Sequence, residues 1–396
     1  MFVRATTSLA ALLLPIALVL SHRNLPIAIS VLALGGLFHL HKTQFIPAAK
    51  WAAIFIGYAA ITCFWSPHDD AGNWPLYLLT VILVPMGLAV RPAGRAADTP
   101  IFWAMAITIL LLGFEAATGG ALRDWTPPVA RDDKDDIATA RGITEALALA
   151  PAVLLYFWQR RSDHPWAWGM LAALAGALVL ASTAFGIFAN TLALMMGAVA
   201  AIFAWRFPRA TPFAILWCAI AILWAMPVLA SLLPPQEVLQ SLEVGPASWR
   251  ARLVAWKAVA EAIYDDSFTA FLFGHGVEGT RHLGERLGEI KLPGAYAPNA
   301  VVPIHPHNVF LQIWYDLGAV GVLLGTCAVL SLWQALNSAA VQQSVVVCVS
   351  ALCAGMLVFL GGDASLWTIW RVAAPILGAW GIWRLSMEKD GESGKL

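Results

Sequence analysis

Two histidines and an asparagine stand where a long polar segment meets a hydrophobic stretch, in the sequence HPHNVFLQ from His305 to Gln312. Asn308 is suited to N-cap a helix that begins there, and Pro306 keeps the approach to that helix extended. The free N–H groups and the positive dipole end of such a helix favour a bound anion. An imidazole at His305 or His307 can act as a base near neutral pH. The motif therefore predicts an anion site with a base beside it; exposed loop histidines and a metal site are the alternatives.

Arginines that could hold the anion lie upstream of this motif, at Arg250 and Arg252. Around them, apolar residues recur at helical spacing: Trp249, Leu253, Trp256, Ala260 and Ile263. This pattern predicts an amphipathic helix that lies in the outer membrane interface. Both arginines are off the apolar stripe, and a guanidinium group binds phosphate oxygens bidentately. An ordinary interfacial arginine in contact with lipid phosphate is the alternative interpretation of Arg252.

Ionisable residues inside hydrophobic stretches are costly, so each is a candidate for function. Glu115, Glu145, Asp316 and Arg371 are of this kind, and Asp363 stands at the edge of such a stretch. All five fall in the outer part of their predicted helices, which predicts a shared polar cavity that opens outward. Snorkelling of the glutamates to the headgroups and a structural ion pair between Asp316 and Arg371 are the alternatives.

The composition of the chain indicates that membrane-spanning helices position these residues. The chain has 396 residues, of which 60% are hydrophobic and 12% charged, whereas a soluble domain carries about 25% charged residues. The formal net charge of zero gives no attraction to nucleic acid. We therefore predict an all-α, polytopic membrane helical bundle of about twelve transmembrane helices. These lie near residues 5–21, 24–40, 47–65, 74–91, 99–118, 142–158, 165–182, 184–205, 211–232, 308–333, 341–361 and 365–385.

The distribution of Lys and Arg over the short connections predicts cytoplasmic N- and C-termini. The chain then divides into nine helices over 1–232, a large outer loop over 233–307, three helices over 308–386 and a cytoplasmic tail over 387–396. The loop is the longest connection, and the histidine motif and the arginine pair both fall at or near its ends.

The stretch HPHNVFLQIWYDLGAVGVLLG resembles the signature of the bacterial O-antigen ligase and O-antigen polymerase superfamily, in which a His-Asn pair opens the span after the long periplasmic loop. Arg252 followed by Trp256, and then the Gly274-His275-Gly276 turn, are similar to the loop pattern of that family. The number of spans and the position of the loop agree along nearly the whole chain, and the motifs cover about residues 245–330.

The resemblance implies a multi-pass glycosyltransferase of the bacterial inner membrane that works on the periplasmic face. Its donor would be a glycan on undecaprenyl pyrophosphate, and its acceptor lipid A–core for a ligase or another glycan unit for a polymerase; the ligase is the interpretation we favour. By this analogy Arg252 holds the pyrophosphate and His307 positions or deprotonates the acceptor hydroxyl. If the match to the family pattern is displaced by two residues, Arg250 takes the role of Arg252. Arg371 and Arg141 are further candidate phosphate contacts. No metal ion, nucleotide or other cofactor is implied.

One departure from the family pattern lies at residues 182–186, which read STAFG where many members carry an arginine in a Ser-Arg-Gly-like turn. One phosphate contact is then missing or is supplied from elsewhere. Two other classes of protein remain as alternatives. The first is a metal-dependent polyprenyl-sugar transferase that uses the acid pair Asp69-Asp70 beside His68. The second is a transporter, although polar residues gathered at one membrane face fit interfacial chemistry better than a midplane transport site.

Overall fold

The structure is a computed structural model that describes residues 2–20, 24–37, 49–67, 74–90, 95–122, 135–184, 188–241, 247–283, 306–338 and 341–387. Every regular element in these residues is a helix. His305, the acid pair Asp69-Asp70 with His68, and residues 388–396 lie outside the described part of the chain.

Fifteen α-helices are described: α1 (Phe2–Leu20), α2 (Leu25–Leu37), α3 (Ala49–Thr62), α4 (Trp74–Val90), α5 (Arg95–Thr118), α6 (Asp135–Arg160), α7 (Trp166–Thr183), α8 (Phe188–Arg206), α9 (Ala210–Ser231), α10 (Gln236–Ser241), α11 (Ala247–Asp265), α12 (Phe268–Phe273), α13 (Val309–Ser338), α14 (Gln343–Gly362) and α15 (Ile369–Met387). Each of the twelve predicted hydrophobic stretches overlaps one of them, while α10, α11 and α12 lie in the predicted outer loop. The prediction of an all-α polytopic membrane protein is confirmed.

Eight of the described helices are long and apolar enough to cross a membrane, namely α1, α5, α6, α7, α8, α9, α13 and α14. Helices α2 and α3 are apolar but shorter. Because continuous apolar side chains cover their surfaces and their backbones bond internally, these helices satisfy the conditions that lipid imposes. By length and composition the described count is thus eight, against about twelve predicted.

Small residues let α8 and α14 pack closely. A Cβ added at Gly197 would lie 3.2 Å from the carbonyl oxygen of Ala351, and one at Gly355 would lie 3.3 Å from that of Ala193. Close approach at Gly and Ala is typical of helix pairs in membranes. The two helices therefore form one wall, which carries Asp363 immediately after the end of α14.

Helix α13 is kinked at Gly318, where φ is +64°. The Gly274-His275-Gly276 turn packs into this kink, and the N–H groups of His275 and Gly276 donate to the carbonyls of Tyr315 and Asp316 at 3.0 and 2.8 Å. A Cβ on Gly274 would clash with the backbone at Asp316. Glycine is thus required here because the loop backbone lies directly against the helix.

The predicted amphipathic helix forms as α11, which packs on α9 and on the first part of α13. It is buried around more of its circumference than the predicted stripe, since Val254, Ala255, Ala258 and Val259 are at most 1% exposed. The alanines allow neighbouring helices to approach from a second side. Lys257 adds a hydrogen bond between α11 and α9, because its Nζ donates to the carbonyl of Ser231 at the end of α9 at 2.6 Å.

Candidate functional site

Three side chains from different parts of the chain meet at Asp363. Arg252 Nη2 donates to Asp363 Oδ1 at 2.9 Å, and Arg371 Nη1 donates to Asp363 Oδ2 at 2.9 Å. His307 Nδ1 lies 3.7 Å from Asp363 Oδ1. The side chains of Arg371, Asp363, Arg252 and His307 are 8, 14, 15 and 24% exposed, respectively. We call these four residues the Asp363 cluster.

Trp256 positions Arg252 relative to the histidine motif. The indole Nε1 donates to the carbonyl of Pro306 at 2.8 Å. Because residues four apart lie on the same face of a helix, the bond also turns Arg252 toward the loop that carries His307. The spacing from arginine to tryptophan in the sequence motif therefore has a structural reason.

His307 bends the chain into α13 with φ at +53°, a left-handed conformation in a residue other than glycine. Such a backbone costs roughly 1–2 kcal/mol and is maintained by bonds on either side. Before it, Pro306 is held by Trp256; after it, Asn308 Oδ1 accepts from the N–H of Leu311 at 3.1 Å. The predicted N-cap is thus confirmed. Among the described residues, the buried Nδ2 of Asn308 has no hydrogen-bond partner.

A glutamine on α13 fixes the turn that holds Asp363. Gln312 Oε1 accepts from Ser365 Oγ at 3.1 Å and from the N–H of Leu366 at 2.9 Å. Gln312 lies one helical turn after Asn308. The start of α13 therefore positions both the imidazole and the carboxylate of the Asp363 cluster.

The electrostatics of the Asp363 cluster favour a neutral imidazole between charged neighbours. Burial lowers the pKa of His307 from 6.5 to about 4; Asp363 acts in the opposite direction, while the charges of Arg252 and Arg371 add to the lowering. Burial alone would raise the pKa of Asp363, but Arg371 and Arg252 hold it below its usual value. At neutral pH the cluster thus contains two guanidinium groups, one carboxylate and a neutral imidazole. This arrangement leaves one positive charge in excess.

A second polar group adjoins the Asp363 cluster on α6. The charges of Arg371 and Arg141 act on Glu145, which is 2% exposed. Beside it, Thr144 Oγ1 donates to Asn190 Oδ1 on α8 at 2.8 Å. The predicted phosphate contacts Arg371 and Arg141 therefore both lie near Glu145, and Arg371 also belongs to the Asp363 cluster.

Other predicted site residues are placed differently. Asp316 accepts from the N–H of Thr280 at 2.9 Å and from Trp367 Nε1 at 2.6 Å, so its partners are a backbone amide and an indole rather than Arg371. Arg250 lies two residues before Arg252 on α11, about 200° away around the helix. The hydrogen bonds of Asp316 to Thr280 and Trp367 help to fix the segment around the Gly-x-Gly turn to α13.

Glu115 also lies apart from the Asp363 cluster. Its Oε2 accepts from the N–H of Leu122 at 2.8 Å, and its carbonyl accepts from the N–H of Gly120. It thus closes the turn that follows α5.

The role of Asp363 is the feature that the sequence did not reveal. Its position at the end of a hydrophobic stretch, directly after Gly361-Gly362, marked it as a candidate but indicated neither of its guanidinium partners. An acid that terminates a membrane helix beside a second span with an intramembrane arginine is the signal that could have indicated one of them.

An apolar cavity of about 390 Å³ lies between α6, α7, α8 and α14. Its lining includes Leu147, two residues after Glu145 on α6, and Phe359, four residues before Asp363 on α14. At the far end of these helices the lining includes Trp158 and Trp205. The polar groups therefore stand at one end of a cavity that follows the membrane helices. No group of three His, Cys, Asp or Glu side chains suited to a metal ion occurs in the part of the chain that the structure describes.

This geometry can bind a diphosphate and support attack by a hydroxyl group. Arginine forks neutralise phosphate oxygens and stabilise the charge that develops on a leaving pyrophosphate. A neutral imidazole beside them can accept a proton from an attacking hydroxyl. An apolar cavity at the same depth suits a lipid chain attached to that diphosphate.

Comparison with known proteins agrees with this geometry. A family model described as O-antigen ligase matches residues 189–326, a range that contains Arg252, His307 and Asn308. A curated protein of Rickettsia conorii, described as a candidate polysaccharide ligase, is 24% identical to this chain over 165 residues. That match covers 41% of this chain and 37% of the relative, so the chain spans well under two thirds of the relative's length. With these two matches, the predicted resemblance of the chain to the O-antigen ligase superfamily is confirmed.

Proposed function

We propose that this protein is a membrane glycosyltransferase that moves a glycan from undecaprenyl pyrophosphate to an acceptor hydroxyl, and that it acts as an O-antigen ligase with lipid A–core as acceptor. The observation that carries the proposal is the Asp363 cluster, which brings two buried guanidinium groups and an imidazole from α11, α15 and the α13 entry loop to one point. The O-antigen ligase and polysaccharide ligase matches support it.

The charges of the Asp363 cluster suit the donor. A diphosphate esterified at both ends carries one negative charge per phosphate, and the Asp363 cluster, with two guanidinium groups and one carboxylate, attracts it through one positive charge in excess. Asp363 holds both guanidiniums in place when the donor is absent, each at 2.9 Å. Since an arginine has five N–H donors, each can retain its bond to the carboxylate and still contact a phosphate oxygen.

The apolar cavity favours the proposal that the glycan donor carries a lipid chain. Its volume of about 390 Å³ falls within the range of about 300–1,000 Å³ typical of ligand sites. The cavity lies below Glu145 and Asp363, which supports a binding mode with the isoprenoid chain along the membrane helices and the diphosphate at the Asp363 cluster.

His307 is the proposed base. Nδ1 faces Asp363, and we assign the proton transfer from the acceptor hydroxyl to Nε2. The hydroxyl oxygen attacks the anomeric carbon, the bond from that carbon to the diphosphate breaks, and the proton passes to His307. A donor with two negative charges raises the proton affinity of the imidazole above that of the empty site, and the departing lipid diphosphate is stabilised by the arginines.

We further propose that this site faces the periplasm and that both termini are cytoplasmic, in a bacterial inner membrane. The proposal rests on the excess of Lys and Arg in the short connections on the opposite side. A polymerase that extends a glycan would use the same donor and is the alternative within the class. Deletion of the gene separates the two: a ligase mutant accumulates lipid-linked polymer, whereas a polymerase mutant leaves a core with one repeat.

The proposed function is tested with two conservative variants in nanodiscs, supplied with the lipid-linked glycan and lipid A–core. His307→Asn keeps a residue that tolerates a left-handed backbone but removes the base, so turnover should fall by about 100-fold or more. Arg252→Lys keeps the charge but loses the planar fork, and donor affinity should fall about ten-fold, the effect of one charge-assisted hydrogen bond. Addition of EDTA should leave the wild-type rate unchanged.

Arg384→Lys is the matched control for these variants. Arg384 donates from Nε to Asp98 Oδ2 at 2.9 Å in another buried ion pair, between α15 and α5. This variant should transfer glycan at the wild-type rate per folded molecule. Wild-type activity in both His307→Asn and Arg252→Lys would refute the proposed site.

A further inference from the structure

One buried acid near the Asp363 cluster has no hydrogen-bond donor. Both carboxyl oxygens of Glu145 are buried, and neither accepts a hydrogen bond from any residue that the structure describes. The other buried acids nearby are satisfied: Glu115 by the N–H of Leu122, and Asp316 by Thr280 and Trp367. Buried polar atoms without partners are rare and costly, so Glu145 requires an explanation.

The groups around Glu145 do not supply the missing donor. Arg371 and Arg141 act on it through their charge, but it receives no hydrogen bond from either. The hydroxyl of Thr144, the preceding residue, donates to Asn190 instead. Arg371 thus lies near two acids: Asp363, which accepts hydrogen bonds from two arginines, and Glu145, which accepts none from the described residues.

The chemistry of the vacant acceptor restricts the ligand. Two oxygens without a donor require a ligand that donates; an ionised diphosphate esterified at both ends has no O–H group, and an isoprenoid chain offers no donor. An ammonium group would be repelled by Arg371 and Arg141. A neutral O–H or N–H donor remains, and on the proposed donor those groups are the hydroxyls and amides of the sugar next to the diphosphate.

We propose that Glu145 binds the glycan portion of the donor by accepting hydrogen bonds from sugar hydroxyl or amide groups, close to Arg371. This inference rests on the proposed function and adds a sugar subsite to it. Arg371 then serves both subsites, because it contacts a phosphate oxygen and its charge also acts on Glu145. Glu145 is thereby a residue that determines affinity for glycan rather than for lipid diphosphate.

The test compares two probes, undecaprenyl diphosphate without sugar and the lipid-linked glycan, on wild-type protein and on Glu145→Gln in nanodiscs. Glutamine keeps the shape of the side chain but replaces one of its two oxygens by an amide N–H group, which cannot accept a hydrogen bond. We expect the KM for the lipid-linked glycan to rise about ten-fold, the effect of losing one hydrogen bond to a buried acceptor. Affinity for undecaprenyl diphosphate and kcat should stay within about two-fold of wild type.

Glu115→Gln is the matched control, since it changes a buried glutamate on the neighbouring helix α5 whose carboxylate already has a donor. It should lower the midpoint of thermal unfolding and leave the KM for glycan unchanged, whereas Glu145→Gln should not lower that midpoint. Glu145→Asp, which keeps both carboxyl oxygens and withdraws them by one methylene, should show the same selective rise in KM.

Equal losses for both probes in Glu145→Gln, or no loss for either, would overturn the sugar subsite while leaving the proposed function intact. A wild-type protein that bound neither probe would refute the proposed function, and the subsite with it.

Discussion

Replacement of Asp363 by asparagine should convert a satisfied ion-pair network into two uncompensated guanidinium groups. Asp363 accepts from Arg252 and Arg371 at 2.9 Å each, and the three side chains are 8–15% exposed. Removing one partner of a buried ion pair costs about 3–5 kcal/mol because the remaining charge stays buried. Asparagine has a single acceptor oxygen, so its amide N–H group faces one of the arginines. We expect the free energy of unfolding to fall by about 3–5 kcal/mol.

The same variant should respond more strongly to a diphosphate than wild type does. In Asp363→Asn the two arginines have lost their anion, and undecaprenyl diphosphate supplies a new one. A ligand at 100 times its Kd stabilises a folded protein by about 2.7 kcal/mol, and this gain should be larger in the variant because binding there also neutralises buried charge. The assay is thermal unfolding in nanodiscs, with and without undecaprenyl diphosphate, followed by fluorescence of the 19 tryptophans.

Asp98→Asn is the control for this experiment. Asp98 is 3% exposed and pairs with Arg384, which is 6% exposed. Its loss should destabilise the protein to a similar degree, but undecaprenyl diphosphate should stabilise Asp98→Asn no more than wild type. If Asp363→Asn were as stable as wild type, or were rescued no better than Asp98→Asn, the argument that the Asp363 cluster is an anion site would be wrong.

Two further predictions concern His307 and its support. First, the pKa of His307 is lowered from 6.5 to about 4 in the folded protein. Between these pH values the unfolded chain therefore binds a proton at His307 that the folded protein does not bind. The free energy of unfolding should therefore fall with falling pH across that window, by up to about 3 kcal/mol, and His307→Asn should lack this contribution in denaturation measured from pH 4 to 7. Second, Trp256→Phe removes the N–H that holds the Pro306 carbonyl. A loss of about 1.4 kcal/mol in the positioning of His307 corresponds to a ten-fold lower kcat. Steady-state kinetics would contradict this if kcat stayed at the wild-type value.

The helices could be predicted from the sequence because the signals for them are local. Continuous apolar stretches indicated each membrane helix, and the recurrence from Trp249 to Ile263 indicated α11. Asn308 indicated the start of α13, and its side chain does cap that helix. In each case the residues that determine the element lie within the element, so no knowledge of its neighbours was needed.

The contacts of the candidate site could not be predicted in the same way. Arg252 and Asp363 are 111 residues apart in sequence, and neither residue contains information about the other. The alternative of an ion pair between Asp316 and Arg371 illustrates the same limit, since Asp316 bonds to Trp367 and Thr280 instead. The cause is the kink at Gly318, which brings the Gly-x-Gly turn onto α13, and composition does not indicate how a kinked helix packs.

The partners of the two membrane glutamates likewise depended on the fold. Glu115 and Glu145 have the same residue type and similar predicted depth. Glu115 reaches the N–H of Leu122 in the turn after its own helix, whereas Glu145 lies within reach of the charge of Arg371 on α15. A local turn satisfies one acid, and the packing of distant helices determines the surroundings of the other.

The most direct test of the account is a cryo-EM structure of the protein in nanodiscs with its lipid-linked glycan bound. We predict that the phosphates contact Arg252 and Arg371, that His307 Nε2 faces the sugar carbon attached to the diphosphate, and that the lipid chain occupies the apolar cavity. Phosphates bound elsewhere, with Arg252 and Arg371 still paired only to Asp363, would contradict it.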